Sequence, residues 1–414
     1  MMIMNVAGVS LQDRIDVRHE FPLLYQSVNG HALIYLDNAA TTQKPARVIQ
    51  ALNEYYHRYN ANIYRGIHTL AEKATREFEE TRTAARFFIN ATSEEEIIFV
   101  RGVTEAINLV AASYGRTFVQ SDDEIIVSAL EHHSNIVPWQ IVCNEKKALL
   151  RVIPANDKGE LMLDAFQEML SSRTRLVAVS HISNSLGTVN PIQEIVRMAH
   201  RAGALVLVDG AQAGAHKRID VQQLDCDFYC LSAHKMYGPT GVGMLYGKKA
   251  ILEKMPPYQS GGEMIREVTF GNTIYQDLPY KFEAGTPDIG GVIAFRQAIE
   301  FILETGRDRI AAHEHALLTY ATEQFSKIPS VRIIGNARDK SNILSFIMDD
   351  FHPYDIGHVL DARGIAVRTG QHCTQPIMDR LGVEATVRAS FAAYNTTDDI
   401  DELVRALRMI DFIR

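Results

Sequence analysis

The chain of 414 residues contains only four cysteines, Cys143, Cys226, Cys230 and Cys373. None form a C-x-x-C pair, which argues against a structural zinc site, and no metal is expected. So few thiols in so long a chain fit a reducing compartment, so the cytoplasm is the expected location. No run of about 18 apolar residues occurs, and no membrane-spanning helix is expected. Positive charge is not in excess: 42 basic residues face 50 acidic ones, for a formal charge of −8. Such a chain lacks the field to hold nucleic acid or an anionic membrane, which directs attention to a small-molecule substrate. Internal repeats, low-complexity tracts and long Pro/Gly/Ser linkers are also missing. The opening stretch, MMIMNVAGVSLQDRIDVRHEF, has no basic start and carries Asp13, Arg14 and Asp16. It reads as an ordered or frayed leader, not a signal peptide.

What is present is ordinary for a globular protein, 46% hydrophobic and 22% charged, at a length that suggests two domains. Short apolar runs at 97–100, 124–128, 175–180, 204–209, 228–232 and 242–246 read as strands. Helical patterns such as 105–114 and 191–201 lie between several of them. This alternation predicts an α/β domain with a mostly parallel sheet covered on both faces. A long helix over 288–305, stopped by Gly306, precedes a region of α+β order with elements at 313–328, 341–349, 358–363 and 398–412. The expected division is a large domain, 30–295, and a small one made of 1–29 and 296–414, with the leader packed beside the C-terminal part.

Chemistry-bearing residues cluster at strand ends, where open α/β sheets bind ligands. Asp209 ends the run ALVLVDG, a position that equally suits a plain turn or cap. Lys235, in LSAHKMYGPTGVG, follows the next run; a desolvated lysine there becomes a nucleophile for an aldehyde, although most lone lysines simply snorkel. The glycines after it lack the lysine of a nucleotide loop. Together the two residues suit pyridoxal 5'-phosphate, which needs a lysine for its aldehyde and an acid for its pyridine nitrogen. Gln212 is placed to reach the ring's phenolic oxygen. An anion cradle is expected where Arg101-Gly102-Val103-Thr104-Glu105 opens a helix, with Thr104 as its cap and Ser232 and His234 as further donors. His132, in EHHSN, can stack on a flat ring and move protons, against the commoner structural role of a lone histidine. Cys373 sits in RTGQHCTQP. Arg368 and His372, if positive, favour its thiolate, and the polar, glycine-bearing setting argues for an exposed loop over a buried apolar cysteine. Arg388 can grip a carboxylate with two hydrogen bonds or serve a structural ion pair.

These segments, with YLDNAATTQKP (35–45), YRGIHTLA (64–71), SHISNSLGTVNP (180–191), FEAGTP (282–287) and RASFAAYN (388–395), resemble one family in order and spacing. It is the class V aminotransferase group of pyridoxal-phosphate enzymes, and within it the SufS/CsdA-type (group II) cysteine desulfurases, over about residues 21 to 410. The resemblance implies the fold-type I architecture of pyridoxal-phosphate-dependent transferases, with a seven-stranded sheet. It implies that Lys235 carries the cofactor, Asp209 pairs with its pyridine nitrogen, Gln212 meets its phenolic oxygen and His132 stacks on the ring. The phosphate falls to Thr104, Ser232 and His234, joined by Thr286 from the second subunit of a homodimer. Asn184 and Arg388 would take the substrate carboxylate, with Arg368 in the same pocket, and Cys373 would carry a persulfide. L-cysteine would become L-alanine, and the sulfur would feed iron–sulfur cluster assembly. A selenocysteine lyase acting on L-selenocysteine, or a non-catalytic scaffold bearing the cofactor, are the alternatives.

Three positions depart from the family pattern. Val103 stands where many relatives have threonine, which removes a hydroxyl donor and leaves the backbone N–H. Tyr64 stands where relatives often have histidine. Tyr354 replaces the histidine of relatives served by a zinc-containing SufU-type acceptor, which favours a SufE-type sulfur acceptor.

Overall fold

The six apolar runs and one further segment build a single seven-stranded sheet in the computed structural model, which describes residues 15–413. The reading of residues 1–14 as a leader lies outside the described residues. Across the sheet the order is Ile97–Val100, Gly243–Gly247, Phe228–Ser232, Leu205–Asp209, Thr174–Ser180, Glu124–Ser128 and Leu149–Ile153. All neighbours are parallel except Gly243–Gly247, which runs against both strands beside it. The central strands are buried apart from Arg175 and Leu205 near their starts, as strands covered on both faces must be. Leu149–Ile153, at the sheet edge, is half exposed, so its sequence shows no continuous apolar run and gives no strand signal.

Helices fill the crossovers. Ile192–Arg201 begins one residue after its expected start and buries Ile195, Val196 and Ala199 against the sheet. The helix that follows Ile97–Val100 spans Val103–Val110 and widens into a π-turn over Ala111–Gly115. The long helix is Ile289–Thr305: the Asp288 carboxylate accepts from Gly291 N at 2.9 Å, and Gly306 stops it with φ 91°.

A second, antiparallel sheet of four strands follows, ordered Val331–Ile334, Ile343–Met348, Thr386–Ser390, Arg368–Gly370. The helices around it are Arg307–Phe325, Pro353–Asp361 and Thr397–Ile413, so the first two lie several residues N-terminal of their expected positions. Early residues join this layer: Ile34–Tyr35 pairs in parallel with Ile365–Ala366. Arg18 reaches Asp399 at 3.0 Å, and Phe21 packs edge-on to Phe301 and Tyr237.

One buried ion pair holds the segment 282–287 to the large sheet. Arg82, 1% exposed, donates to Glu283 at 2.8 and 3.0 Å, to Glu79 and to the Ile97 carbonyl. Glu283 also accepts from Phe99 N at 2.7 Å. Removing only the arginine strands a buried carboxylate, so Arg82→Met is expected to cost about 3–5 kcal/mol in urea unfolding, with part recovered by adding Glu283→Gln. A loss under about 1 kcal/mol would show that the pair holds nothing.

Candidate active site

The carboxyl ends of the parallel strands, with the loops that follow them, surround a cavity of about 250 Å³. Ser180 and Asp209 stand opposite each other in register at the ends of neighbouring strands. Two glycines allow the approach. A Cβ on Gly210 would lie 2.1 Å from the Tyr229 ring, and Gly102, at φ 152°, lets the strand turn directly into its helix beside Ser232.

Asp209 and Lys235 both line this cavity. Asp209 is 5% exposed and accepts from Ala211 N at 2.9 Å. Burial raises its pKa, opposed by the Ala211 N–H and by Lys235. Burial pushes the Lys235 amine down to about 8; Asp209 and Cys373 pull it up, and Arg388 and Arg368 push it down. A carboxylate held out of water is costly unless paired, and a protonated ring nitrogen is a pairing that fits. An amine near neutrality beside it is the form that attacks an aldehyde.

Val103, Thr104, His132, Ser232, His234 and Gln212 line the same space. Thr104 is not the helix cap: Gly102 occupies that position, and the Thr104 hydroxyl meets Ser134 Oγ at 2.8 Å instead. The Val103 N–H, the donor that its lost hydroxyl would have left, is held by Ser232 Oγ at 2.8 Å. Burial, with Lys235 next, lowers both His132 and His234 to about 4, so both rings are neutral at physiological pH. Gln212 donates to the Ala39 carbonyl at 2.7 Å. Hydroxyls and a helix start on one side, a buried carboxylate on another and an amine between them are a donor set that fits pyridoxal phosphate.

The opposite wall comes from the four-stranded sheet and its loops. Arg388, 2% exposed, donates Nη1 to the Asn184 carbonyl at 2.8 Å and Nη2 to Asp37 at 3.1 Å, while its Nε has no protein partner. Burial lowers its pKa to about 10, and Asp37 opposes that shift. Arg368 and Asn184 also line the cavity. An unpaired N–H on a buried guanidinium is a ready partner for a carboxylate.

Cys373 is half-buried and adjoins this wall through His372, without itself lining the cavity. Two expectations for its loop are corrected. The loop is not exposed: His372 and Thr374 are buried, the Cys373 carbonyl accepts from His133 N at 2.9 Å, and Asn184 Nδ2 donates to the His372 carbonyl at 2.8 Å. Nor is His372 a positive neighbour, because burial, then Arg388 and Arg368, push it down to about 2. Its Nε2 meets Thr386 Oγ1 at 2.7 Å. His372 and Cys373 both take left-handed backbone, at φ 54° and 58°, a conformation that non-glycine side chains hold only when neighbours enforce it.

Thr286 is exposed and stands apart from the cavity lining of its own chain. Tyr64 turns inward, donating to Glu79 at 2.6 Å and packing edge-on to Tyr280, away from the substrate side. Tyr354 is 52% exposed and stacks on His352. The sequence reading missed Glu131, which is buried and accepts from Asn135 Nδ2 at 2.6 Å and Ser180 N at 2.9 Å. Burial raises it to about 7. Its place three residues past the strand end at Ser128 was the available signal. Asp37, the partner of Arg388, was missed too.

This fold and this cavity are those of the fold-type I pyridoxal-phosphate-dependent transferases. The chain belongs to the Aminotransferase class-V family, which matches residues 34–403. Its relatives include a cysteine desulfurase of Synechococcus elongatus, 49% identical over 98% of this chain and 64% of the relative. A probable cysteine desulfurase of Halalkalibacterium halodurans is 50% identical over 95% of this chain and 96% of the relative. The chain thus spans less than two thirds of the first relative and nearly all of the second. Among solved structures, the cysteine desulfurase CsdA of Escherichia coli superimposes with a TM-score of 0.89 at 40% identity, covering 95% of this chain and 96% of its own. These matches agree with the resemblance to SufS/CsdA-type enzymes.

The lowered Lys235 pKa has a direct readout. Reductive labelling with a small aldehyde is expected to modify Lys235 at a rate that rises roughly tenfold from pH 7 to 9 and then levels, as for an amine titrating near 8. A rate still climbing tenfold per unit above pH 9 would mark an ordinary lysine.

Proposed function

We propose that the chain is a pyridoxal-phosphate-dependent cysteine desulfurase that converts L-cysteine to L-alanine and keeps the sulfur as a persulfide on Cys373. The observation that carries this reading is the convergence of Lys235 and Asp209 on one cavity whose far wall holds Arg388 and the Cys373 loop. Lys235 would hold the cofactor's aldehyde and Asp209 its ring nitrogen. Gln212 and His132 would contact the ring, and Val103, Thr104, Ser232 and His234 its phosphate. Bound there, the cofactor supplies an electron sink for the substrate's Cα.

The chain's own groups do the rest. Arg388, with Asn184 and Arg368 beside it, takes the substrate carboxylate. Lys235 Nζ, as a free amine, would remove the Cα proton. The thiolate of Cys373 attacks the substrate sulfur: an S–S bond forms, the substrate's Cβ–S bond breaks, Cβ takes up a proton, and the proton held by Lys235 Nζ returns to Cα to give alanine. No oxidant is needed, because the persulfide sulfur is gained as the carbon is reduced. A partner thiol then removes the outer sulfur.

We assign the cavity floor to a large domain, 30–295, and the Cys373 loop to a small one, 1–29 and 296–414. A homodimer is supported by Thr286, exposed and remote from its own cavity, which would complete the phosphate site of a second copy. Exposed Tyr354, near the Cys373 loop through Gly370, supports a SufE-type acceptor, and the sulfur is assigned to iron–sulfur cluster assembly. Among the described residues no helix is long and apolar enough to cross a membrane, and we assign the protein to the cytoplasm.

Mass analysis after exposure to cysteine is expected to find one added sulfur on the Cys373 peptide, with alanine released. Cys373→Ser should lower cysteine desulfuration roughly a hundredfold or more, as loss of a nucleophile does. Alanine release undiminished in that variant would overturn the assignment of Cys373. Separately, Arg388→Lys is expected to raise KM for cysteine about tenfold, the equivalent of one charge-assisted hydrogen bond; an unchanged KM would remove Arg388 from the carboxylate site.

A further inference from the structure

The segment 35–45, YLDNAATTQKP, runs along the seam between the two sheets. Asp37 serves Arg388 and Ala39 serves Gln212. Its second half converges on the peptide that carries Lys235. The His234 carbonyl oxygen accepts from Thr42 N at 2.9 Å, Thr41 Oγ1 at 3.0 Å, Thr42 Oγ1 at 3.2 Å and Lys44 Nζ at 3.3 Å. On the other side of Lys235, Tyr237 N donates to Thr42 Oγ1 at 2.8 Å. Thr42, 1% exposed, therefore brackets the lysine from both directions. Lys44 Nζ adds a bond to the Thr42 carbonyl and another to Thr41 Oγ1 at 3.2 Å.

The bracketed turn needs outside support. Ala233–Lys235 is a single 3-10 turn of three residues. Two residues past Lys235, Tyr237 takes left-handed backbone at φ 63°, which is unfavourable for a bulky side chain unless its surroundings enforce it. One hydroxyl that binds the carbonyl before the lysine and the amide after it fixes both ends of that strained turn.

We infer that Thr42 is a positioning residue, backed by Lys44, that sets the direction in which Lys235 enters the cavity. The inference rests on the reading that Lys235 carries the cofactor. Loosening the turn admits water to the Lys235 nitrogen, whose charged form burial disfavours, so that nitrogen should hold its proton to higher pH, both as the free amine and when joined to the cofactor's aldehyde.

The test uses the full-length protein reconstituted with pyridoxal phosphate, following the visible absorbance against pH together with kcat and KM for cysteine. In the unmodified protein a pH-dependent band that Lys235→Ala lacks is expected; without it the site reading itself fails, and this inference with it. Given that band, Thr42→Val is expected to raise its midpoint by about half a pH unit or more and to lower kcat about tenfold, with KM within twofold. Thr42→Ser, which keeps the hydroxyl, should match the unmodified protein. Lys44→Met should move the midpoint the same way by less, with Lys44→Arg restoring it, and this pair carries the test if Thr42→Val does not fold. Midpoints and kcat unchanged in both Thr42→Val and Lys44→Met, or changes that the conservative variants fail to restore, would overturn the inference while leaving the site reading intact.

Discussion

Asp209 is buried at one strand end and Lys235 half-buried in the turn after the neighbouring strand, and the site is arranged around the cost of charging them there. Each group's burial shifts it towards its neutral form, and each opposes that shift in the other. The seven-stranded sheet makes such an arrangement possible, because its strand ends deliver side chains to one edge while the backbone beneath them stays fully hydrogen-bonded. Neutral histidines at 132 and 234 add polar surface without adding further charge to the cavity. An amine that titrates near 8 in this setting is available for covalent chemistry at physiological pH, which an exposed lysine is not.

The second constraint lies at the seam between the sheets. Asn184 donates to the His372 carbonyl while its own carbonyl accepts from Arg388, so one loop of the large sheet holds both Arg388 and the cysteine loop. His133 N adds a bond to the Cys373 carbonyl. These bonds account for two successive left-handed residues at 372 and 373: the backbone is held at several points, and the thiol's position follows from that hold. The same logic applies at the lysine, where Thr42 bridges the two sides of a strained turn.

Much of this was legible in the sequence because it depends on local rules. Asp209 and Lys235 follow continuous apolar runs, and a polar residue directly after a buried strand in an α/β pattern points to the ligand edge. Asp288 and Gly306 bounded their helix by capping chemistry that needs no tertiary knowledge. What could not be read depends on contacts distant in the chain. Leu149–Ile153 is half exposed at the sheet edge and shows no apolar run. The neutrality of His372 comes from burial against Thr386 and beside Arg388, fourteen and sixteen residues on. Asp37 meets Arg388 across 351 residues, and no spacing rule reaches that far.

The commitment of Arg388 bears on the size of the substrate. Two of its three nitrogens are occupied, by Asn184 and by Asp37, and the side chain is 2% exposed. A guanidinium fixed in this way cannot swing to follow substrates of different length, as a free arginine can. A carboxylate must come to it, and the distance from Arg388 to Lys235 then limits how much chain fits between. Burial also raises the pKa of Asp37, with Arg388 the main opposing influence. The free Nε–H is the donor left for an incoming carboxylate, while Asp37 keeps Nη2 and Asn184 keeps Nη1. The small cavity and the fixed arginine together favour a short carboxylate-bearing molecule.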